Sequence, residues 1–169
     1  MATLPAAVAV DDFKRGMRRL AGAVTIVTTA HGGETSGLTA TAVTSLTAEP
    51  PQLLVCVNRS AAAHELIGKG ERLCVNVLSL EHRGLAGRFA GLDGVHGPER
   101  FAAGDWTRLA TGAPVLADAL VAFDCAVADR VDVATHTIFI CRVVGIRTRD
   151  DGTALVYESG GYGSVRREG

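Results

Sequence analysis

Between residues 23 and 157 the chain is a succession of short runs rich in Val, Ile and Thr, joined mostly by turns. β-Branched residues favour strands because their side chains pack well on a pleated surface. Helix-like patterns interrupt this succession in only two connections, so consecutive strands must largely pair as antiparallel neighbours. The sequence therefore predicts a mainly β fold, an antiparallel barrel with flanking helices packed outside it.

At 169 residues the whole chain, 1–169, has the length of a single domain, with a core at about 11–158 and loose tails at both ends. Ser60 is expected to cap the second helix, because a serine hydroxyl accepts a hydrogen bond from a free N–H of the first turn. Helices are predicted at 11–21, 60–69 and 80–89. Strands are predicted at 23–29, 37–46, 52–58, 73–78, 120–128, 137–148 and 154–157.

Charge and cysteine content argue against several classes of protein. The net charge is −1, and the chain lacks the basic stripe of a nucleic-acid-binding domain. It has no apolar run of membrane-spanning length and no basic segment typical of a signal peptide at its start, so we expect a cytoplasmic protein. The four cysteines have no C-x-x-C spacing, and no metal site is predicted.

The segment from Thr39 to Ser45 is the first candidate for ligand binding. Small side chains let a flat ligand approach the backbone, and threonine and serine hydroxyls can hydrogen-bond its polar edge. The alternative is an edge strand with a polar outer face. The candidate binding residues are Thr39, Ala40, Thr41, Ala42, Thr44 and Ser45.

A second candidate is the strand end from Cys56 to Ala61, which leads into the second predicted helix. Free N–H groups and the helix dipole at such a point attract anions. The alternative is simple capping of the helix by Ser60. The candidate binding residues are Cys56, Val57, Asn58, Ser60 and Ala61.

The third candidate is the segment Arg88, Phe89, Ala90 and Gly91, at the end of the third predicted helix. Phe89 is able to stack on a ligand ring, and Gly91 permits close approach of the backbone. Packing of Phe89 in the core is the alternative interpretation.

His136 is the fourth candidate, because it stands where a loop enters a strand and is predicted to face a barrel mouth. A surface role is the alternative. His64 is predicted to point toward the anion site, whereas His31, His82 and His96 are expected in loops or on exposed helix faces. No nucleophile elbow, P-loop or dinucleotide fingerprint is present, which is compatible with a protein whose cofactor carries the reaction.

Taken together, several stretches resemble the short-chain flavin reductases, in the order and spacing of that family from about residue 13 to residue 157. The similarity is strongest to reductase components of two-component monooxygenases, such as 4-hydroxyphenylacetate 3-monooxygenase. The stretches include FKRGMRRLAGAVTIVTT, GLTATAVTSLTAEPPQLLVCVNRSA, RLCVNVL, LAGRFAG and THTIFICRVVGI.

The resemblance implies an FMN-binding split β-barrel with Greek-key-like antiparallel strands, usually a homodimer. It implies hydride transfer from NADH or NADPH to FMN or FAD, and supply of the reduced flavin to a partner flavin-dependent monooxygenase. The three candidate segments would then bind the flavin, with Ser60 near its phosphate. His136 would bind the nicotinamide and serve as the catalytic residue that positions it, together with Tyr162.

Near its end the chain departs from the family, which often has basic residues before the equivalent of Tyr162, where this chain has Ser159, Gly160 and Gly161. Three alternatives therefore stay open. They are a corrin reductase on the same fold, a non-catalytic flavin- or haem-binding barrel, and an interaction module without a ligand.

Overall fold

The computed structural model describes residues 5–165. The α-helices are α1 (Val10–Met17), α2 (Ala62–Gly70) and α3 (Arg83–Phe89). Single 3₁₀ segments lie at Leu80–His82 and Gly97–Ala102. The strands are β1 (Gly22–Ala23), β2 (Thr25–His31), β3 (Glu34–Ala40), β4 (Val43–Ala48), β5 (Pro51–Asn58), β6 (Arg72–Val77), β7 (Trp106–Arg108), β8 (Pro114–Leu116), β9 (Val121–Val133), β10 (His136–Thr148), β11 (Leu155–Glu158) and β12 (Gly161–Ser164).

The main sheet has seven antiparallel strands in the order β3-β2-β6-β9-β10-β5-β4. Its two edge strands, β3 and β4, are consecutive in the chain and are separated only by Thr41 and Ala42. The sheet must therefore curl until its edges approach each other. Within the described residues β3 and β4 form no ladder, so the barrel stays open along a line that we call the seam, made of Thr39–Ser45.

Alternation of side chains explains how the barrel is filled. On β5, Leu53, Val55 and Val57 are buried, while the residues between them are only partly covered. They pack with strand residues on the far wall and with Ala63 and Ile67 of α2 in one apolar cluster. Burying such side chains stabilises the fold by roughly 1.5–3 kcal/mol each. The α2 helix is therefore held against one end of the barrel.

A second apolar cluster fixes α3 beside the seam. It contains Ala86 and Phe89 of α3 together with residues of β2 and β11. Phe89 meets Phe101 edge-on at 5.0 Å and Trp106 at 5.5 Å between ring centroids. The hydroxyl of Thr39 donates to the carbonyl of Ala86 at 2.7 Å, which joins the helix directly to β3.

Three predictions about the elements are wrong. The strand predicted at 37–46 is two strands, because the chain turns at Thr41 and Ala42. The helix predicted at 80–89 begins with a 3₁₀ segment. Residues 161–164, predicted as a loose tail, form β12 and pair with β11. The turn between them has positive φ at Ser159 (52°) and Gly160 (84°), as a tight two-residue hairpin turn requires.

The other predicted elements are present with shifted ends. The first helix ends at Met17 rather than at residue 21, and β9 continues to Val133 rather than ending at residue 128. Residues 1–4 and 166–169 of the predicted tails lie outside the described part of the chain. No helix between residues 5 and 165 has the length and apolar character needed to cross a membrane.

Replacing Gly37 by alanine is expected to destabilise the protein. A Cβ at this position would lie 2.8 Å from Cε1 of Phe89, whose ring is buried among other aromatic rings and has no room to move. Overpacking of this kind costs about 1–3 kcal/mol of unfolding free energy, measurable by urea denaturation.

Gly16→Ala is the matched control, because nothing lies within 4 Å of a Cβ at that position on the exposed helix α1. Its expected effect is neutral or slightly stabilising. Equal stability of Gly37→Ala and the wild type would contradict the tight packing of Phe89 on β3.

Candidate functional site

The seam leaves backbone groups of Thr39–Ser45 without strand partners on one side. Edge strands present unpaired N–H and C=O groups that can bond to another molecule. Around the turn, the Thr41 carbonyl accepts from the Val43 N–H at 3.0 Å, and the Ala42 carbonyl accepts from the Cys56 N–H at 3.0 Å. The turn is thus fixed, and it lies directly beside the end of β5.

A cavity of about 900 Å³ borders the seam at the side of α3. This volume is within the range of about 300–1,000 Å³ that is typical of small-molecule sites. The lining residues come from β3, α3 and the β11–β12 hairpin, and they are Val24, Thr39, Ala40, Thr41, Arg83, Gly84, Gly87, Ala90, Leu92, Tyr157, Gly160, Gly161 and Tyr162. Arg83 is the charged residue among them, and no carboxylate belongs to this lining.

A second cavity, of about 700 Å³, continues on the other side of the turn. It shares Thr41 and Tyr157 with the first cavity and adds Ala42. Its charge comes from Lys14 of α1 and from Arg18, just after that helix. Because both linings contain cations and no Asp or Glu, this region favours anionic ligands such as phosphorylated nucleotides.

Thr44 and Ser45 lie farther along β4, exposed to solvent. They line a third cavity, of about 560 Å³, together with residues of β5, β9 and β10. The structure therefore brings Thr39, Ala40 and Thr41 to one side of the turn, with Thr44 and Ser45 on the other.

The loop after β5 is organised by Asn58. Its side-chain oxygen accepts hydrogen bonds from the N–H and the hydroxyl of Ser60, each at 2.9 Å. The sequence predicted that Ser60 caps α2, but Ser60 bonds to Asn58 instead and does not cap that helix. Ala61 is the residue before α2, and no side chain caps that helix.

His136 lies on the same loop cluster. It is opposite Asn58 in the β5–β10 ladder, and the N–H of Arg59 donates to the carbonyl of Thr135 at 2.9 Å. The His136 ring is exposed, with its Nδ1 2.9 Å from the Thr135 hydroxyl. It lines neither of the two cavities beside the turn, whereas Tyr162 lines the larger one.

His64 faces inward rather than toward the loop, contrary to the sequence prediction. The Thr137 hydroxyl donates to Asp132 at 2.6 Å and lies 2.7 Å from Nε2 of His64. A hydroxyl has only one proton, so His64 must donate to Thr137 through Nε2. The hydrogen bond from Thr137 lowers the pKa of the Asp132 carboxyl. This chain of contacts holds α2 against β10.

The segment from Arg88 to Gly91 offers a ligand in the larger cavity mainly its backbone and the side chain of Ala90. Arg88 donates to Asp93 at 2.8 Å, which lowers the pKa of that carboxyl. Phe89 is buried among Phe101 and Trp106, so the core-packing interpretation is correct and the ring is not free to stack on a ligand. Gly91 has a φ of 80°, and it ends the helix.

Val57 and Cys56, both predicted to bind the ligand, differ in what they expose. Val57 is fully buried in the barrel core, so only its backbone is available to a ligand. Cys56, one position earlier, is half-buried, because alternate residues of β5 face away from the core.

Sequence reasoning missed several residues. His82, expected on an exposed face, is buried, with Nε2 3.1 Å from Asp118 and Nδ1 accepting from the Ser79 N–H at 3.1 Å. Arg83 and Tyr157, both at the larger cavity, had no motif that singled them out. Within residues 5–165 no group of three or more His, Cys, Asp or Glu side chains is arranged to hold a metal ion.

Comparison with known proteins now decides the family. The model of the flavin reductase like domain matches residues 17–166. The chain belongs to the flavin reductase family. Its predicted fold is therefore confirmed, as is its class: it is an oxidoreductase that works with a flavin and a reduced nicotinamide.

Individual relatives match over nearly their full length. The FMN reductase (NADH) RutF of Bradyrhizobium diazoefficiens is 46% identical over 158 residues, covering 94% of this chain and 87% of the relative. The crystal structure of a candidate flavin reductase from Haemophilus somnus superposes with a TM-score of 0.90 at 44% identity, covering 94% and 100% of the two chains. BorF, the flavin reductase component of a bacterial two-component tryptophan halogenase, superposes with a TM-score of 0.85 at 30% identity. The match covers 95% of this chain and 100% of BorF.

In the native protein, a thiol reagent at pH 8 is expected to modify Cys56 alone. Cys74, Cys125 and Cys141 are fully buried, and burial raises the pKa of the Cys141 thiol to about 12 and those of the other two further. If the flavin binds along the seam, saturating FMN should slow the reaction of Cys56 several-fold. Colorimetric thiol titration measures both effects.

Cys56→Ser is the control and should lack the fast reaction. After denaturation, all four thiols of the wild type should react. Unchanged labelling of Cys56 at saturating FMN would contradict a flavin position beside this residue.

Proposed function

We propose that the chain is an NADH-dependent FMN reductase that binds its flavin along the seam. The observation that carries this proposal is the open edge at Thr39–Ser45 beside a cavity without acidic lining residues. The name of the Bradyrhizobium relative, FMN reductase (NADH), supports FMN as the flavin and NADH as the reductant. No observation on this chain favours a corrin reductase or a barrel without activity.

The residues at the seam fit a flavin. Small side chains at Ala40 and Ala42 leave room for a flat ring system, and Thr41 offers an exposed hydroxyl. The hydroxyl of Thr39 already donates to Ala86, so Thr39 acts by positioning α3 and through its remaining acceptor capacity. When bound, the flavin supplies the hydride-accepting chemistry, so the protein needs no nucleophile of its own.

The chain's part in the reaction is to bind, orient and exclude water. Backbone N–H groups of the seam and the Thr41 hydroxyl are placed to stabilise negative charge that develops on a bound ring, and fixed dipoles do this without reorganising. Cys56 is a spacer and not a reactant. The loop from Asn58 to Ala61 lies where a phosphate would meet the uncapped start of α2.

The remaining site residues have supporting roles in this proposal. Val57, Phe89 and Gly91 contribute backbone, while Ala90 lines the cavity. Arg88 is restrained by Asp93 and closes the segment over the flavin. Thr44 and Ser45 extend the polar edge on β4. His136 and Tyr162 bind the reduced nicotinamide, His136 by orienting it.

We also infer a homodimer. Helix α1 has no buried residue. Phe13 and Met17 on this helix and Leu20 just after it are 59%, 47% and 68% exposed. An apolar stripe of this kind on a surface helix needs a covering partner. His136 and Tyr162 line no common cavity within one chain, and a second copy that covers α1 would also lie beside the seam, so the dimer accounts for both observations.

The reduced flavin is proposed to leave the site and serve a flavin-dependent monooxygenase. BorF, which is the reductase component of a two-component system, supports this partnership. A cytoplasmic location is supported by the four cysteines, which are all free thiols, as is usual in reducing compartments.

The purified protein is expected to oxidise NADH only when flavin is added, with FMN preferred over FAD, as followed at the NADH absorbance band. His136→Ala should raise the KM for NADH about 5- to 10-fold, because it removes one hydrogen bond, which contributes about 1–1.5 kcal/mol to binding. The Kd of FMN, from fluorescence quenching, should stay unchanged.

His31→Ala is the matched control, since His31 is exposed at the distant β2–β3 turn, and it should behave as the wild type. No NADH oxidation with either flavin would reject the reductase. A large loss of FMN affinity in His136→Ala would reject the role assigned to that residue.

Placing charges on the apolar stripe formed by Phe13, Met17 and Leu20 should separate the dimer. The double variant Phe13→Asp, Leu20→Asp exchanges two exposed apolar side chains for carboxylates whose burial in an interface is strongly unfavourable. Light scattering after size-exclusion chromatography should then report a monomer. His31→Asp is the control for added charge and should leave a dimer. A wild-type monomer, or a dimer unaffected by the double variant, would refute this interface.

A further inference from the structure

Arg83 is a cation of the larger cavity that the proposed flavin position does not use. It lines that cavity beside Gly84 and Gly87 of α3, and its side chain is exposed. Between residues 5 and 165 no carboxylate forms an ion pair with it. Arg88 at the other end of α3, by contrast, pairs with Asp93.

The guanidinium is held by an aromatic ring rather than by an acid. Its central carbon lies 5.8 Å from the centroid of the Tyr162 ring, within the distance of a cation–π contact. Tyr162 in turn meets Tyr157 edge-on at 5.5 Å. Burial raises the pKa of the Tyr162 hydroxyl, so the ring is neutral at physiological pH. This stack orients Arg83 without occupying its N–H donors.

An oriented guanidinium with free donors matches a phosphate group. Its planar fork can form two parallel hydrogen bonds to phosphate oxygens. No Asp or Glu lines the cavity, so nothing within it competes for the cation or repels an anion.

We propose that Arg83, oriented by Tyr162, binds the diphosphate of NADH, because the single phosphate of FMN is assigned to the start of α2 in the proposed function. This inference rests on the proposed function, because it takes the nucleotide reductant of that reaction as the ligand. Arg83 would then supply the positive charge that the segment Ser159–Gly161 lacks, where relatives often have basic residues.

The test compares Arg83→Ala with the wild type on ligands that have or lack the phosphate. The KM for NADH should rise about 10- to 100-fold in the variant. FMN and riboflavin should bind with unchanged Kd, as followed by fluorescence quenching.

Two further variants separate binding from a structural role. Arg83→Lys should restore part of the lost affinity, because it keeps the charge without the fork. Arg130→Ala, at an exposed arginine of β9 outside this cavity, should change nothing.

Two outcomes would overturn the inference. One is an unchanged KM for NADH. The other is a loss of FMN affinity, which would place the flavin phosphate at Arg83 if riboflavin still binds, or indicate a general disturbance of the site if it does not. Both leave wild-type turnover intact. Failure of the wild type itself to oxidise NADH with flavin would instead reject the proposed function.

Discussion

The structure depends on one constraint, which is that the two edges of a seven-stranded sheet are neighbours in the chain, joined only by Thr41 and Ala42. The sheet has to curl for this link to be possible, yet β3 and β4 do not pair within the described residues. A closed barrel would remove both edges, whereas this one keeps backbone N–H and C=O groups of the seam available. The proposed binding site is thus a consequence of incomplete closure.

Packing around the seam keeps that opening in place. Phe89 lies against Gly37 on one side and against two aromatic rings on the other, and Thr39 bonds to α3. These contacts place α3, and with it Arg83, at the wall of the cavity. At the far side, the Ala42–Cys56 hydrogen bond fixes the turn against β5. The rigid parts of the site are therefore core and backbone, while its exposed parts are small, hydroxyl-bearing or cationic.

Much of the fold could be predicted from the sequence. Runs of β-branched residues located most of the strands, and the resemblance to flavin reductases indicated segments whose part in flavin binding stays a prediction. The break at Thr41 and Ala42 was missed because no Gly or Pro marks it. Ser60 was predicted to cap α2, but its hydroxyl donates instead to Asn58, two residues earlier. The approach of His82 to Asp118 and the contact of Arg83 with Tyr162 could not be predicted. Both contacts join residues distant in the chain, which periodicity cannot reveal.

Hydrogen–deuterium exchange with and without FMN tests the central claim, that the flavin binds along the open seam, most directly. Free edge amides exchange quickly because no strand partner protects them, and a ligand bonded to them should slow that exchange. The account predicts new protection in peptides that cover Thr39–Ser45 and Cys56–Ala61, with none at the β2–β3 turn around His31–Gly33. Saturating FMN binding that leaves exchange at the seam unchanged would contradict it.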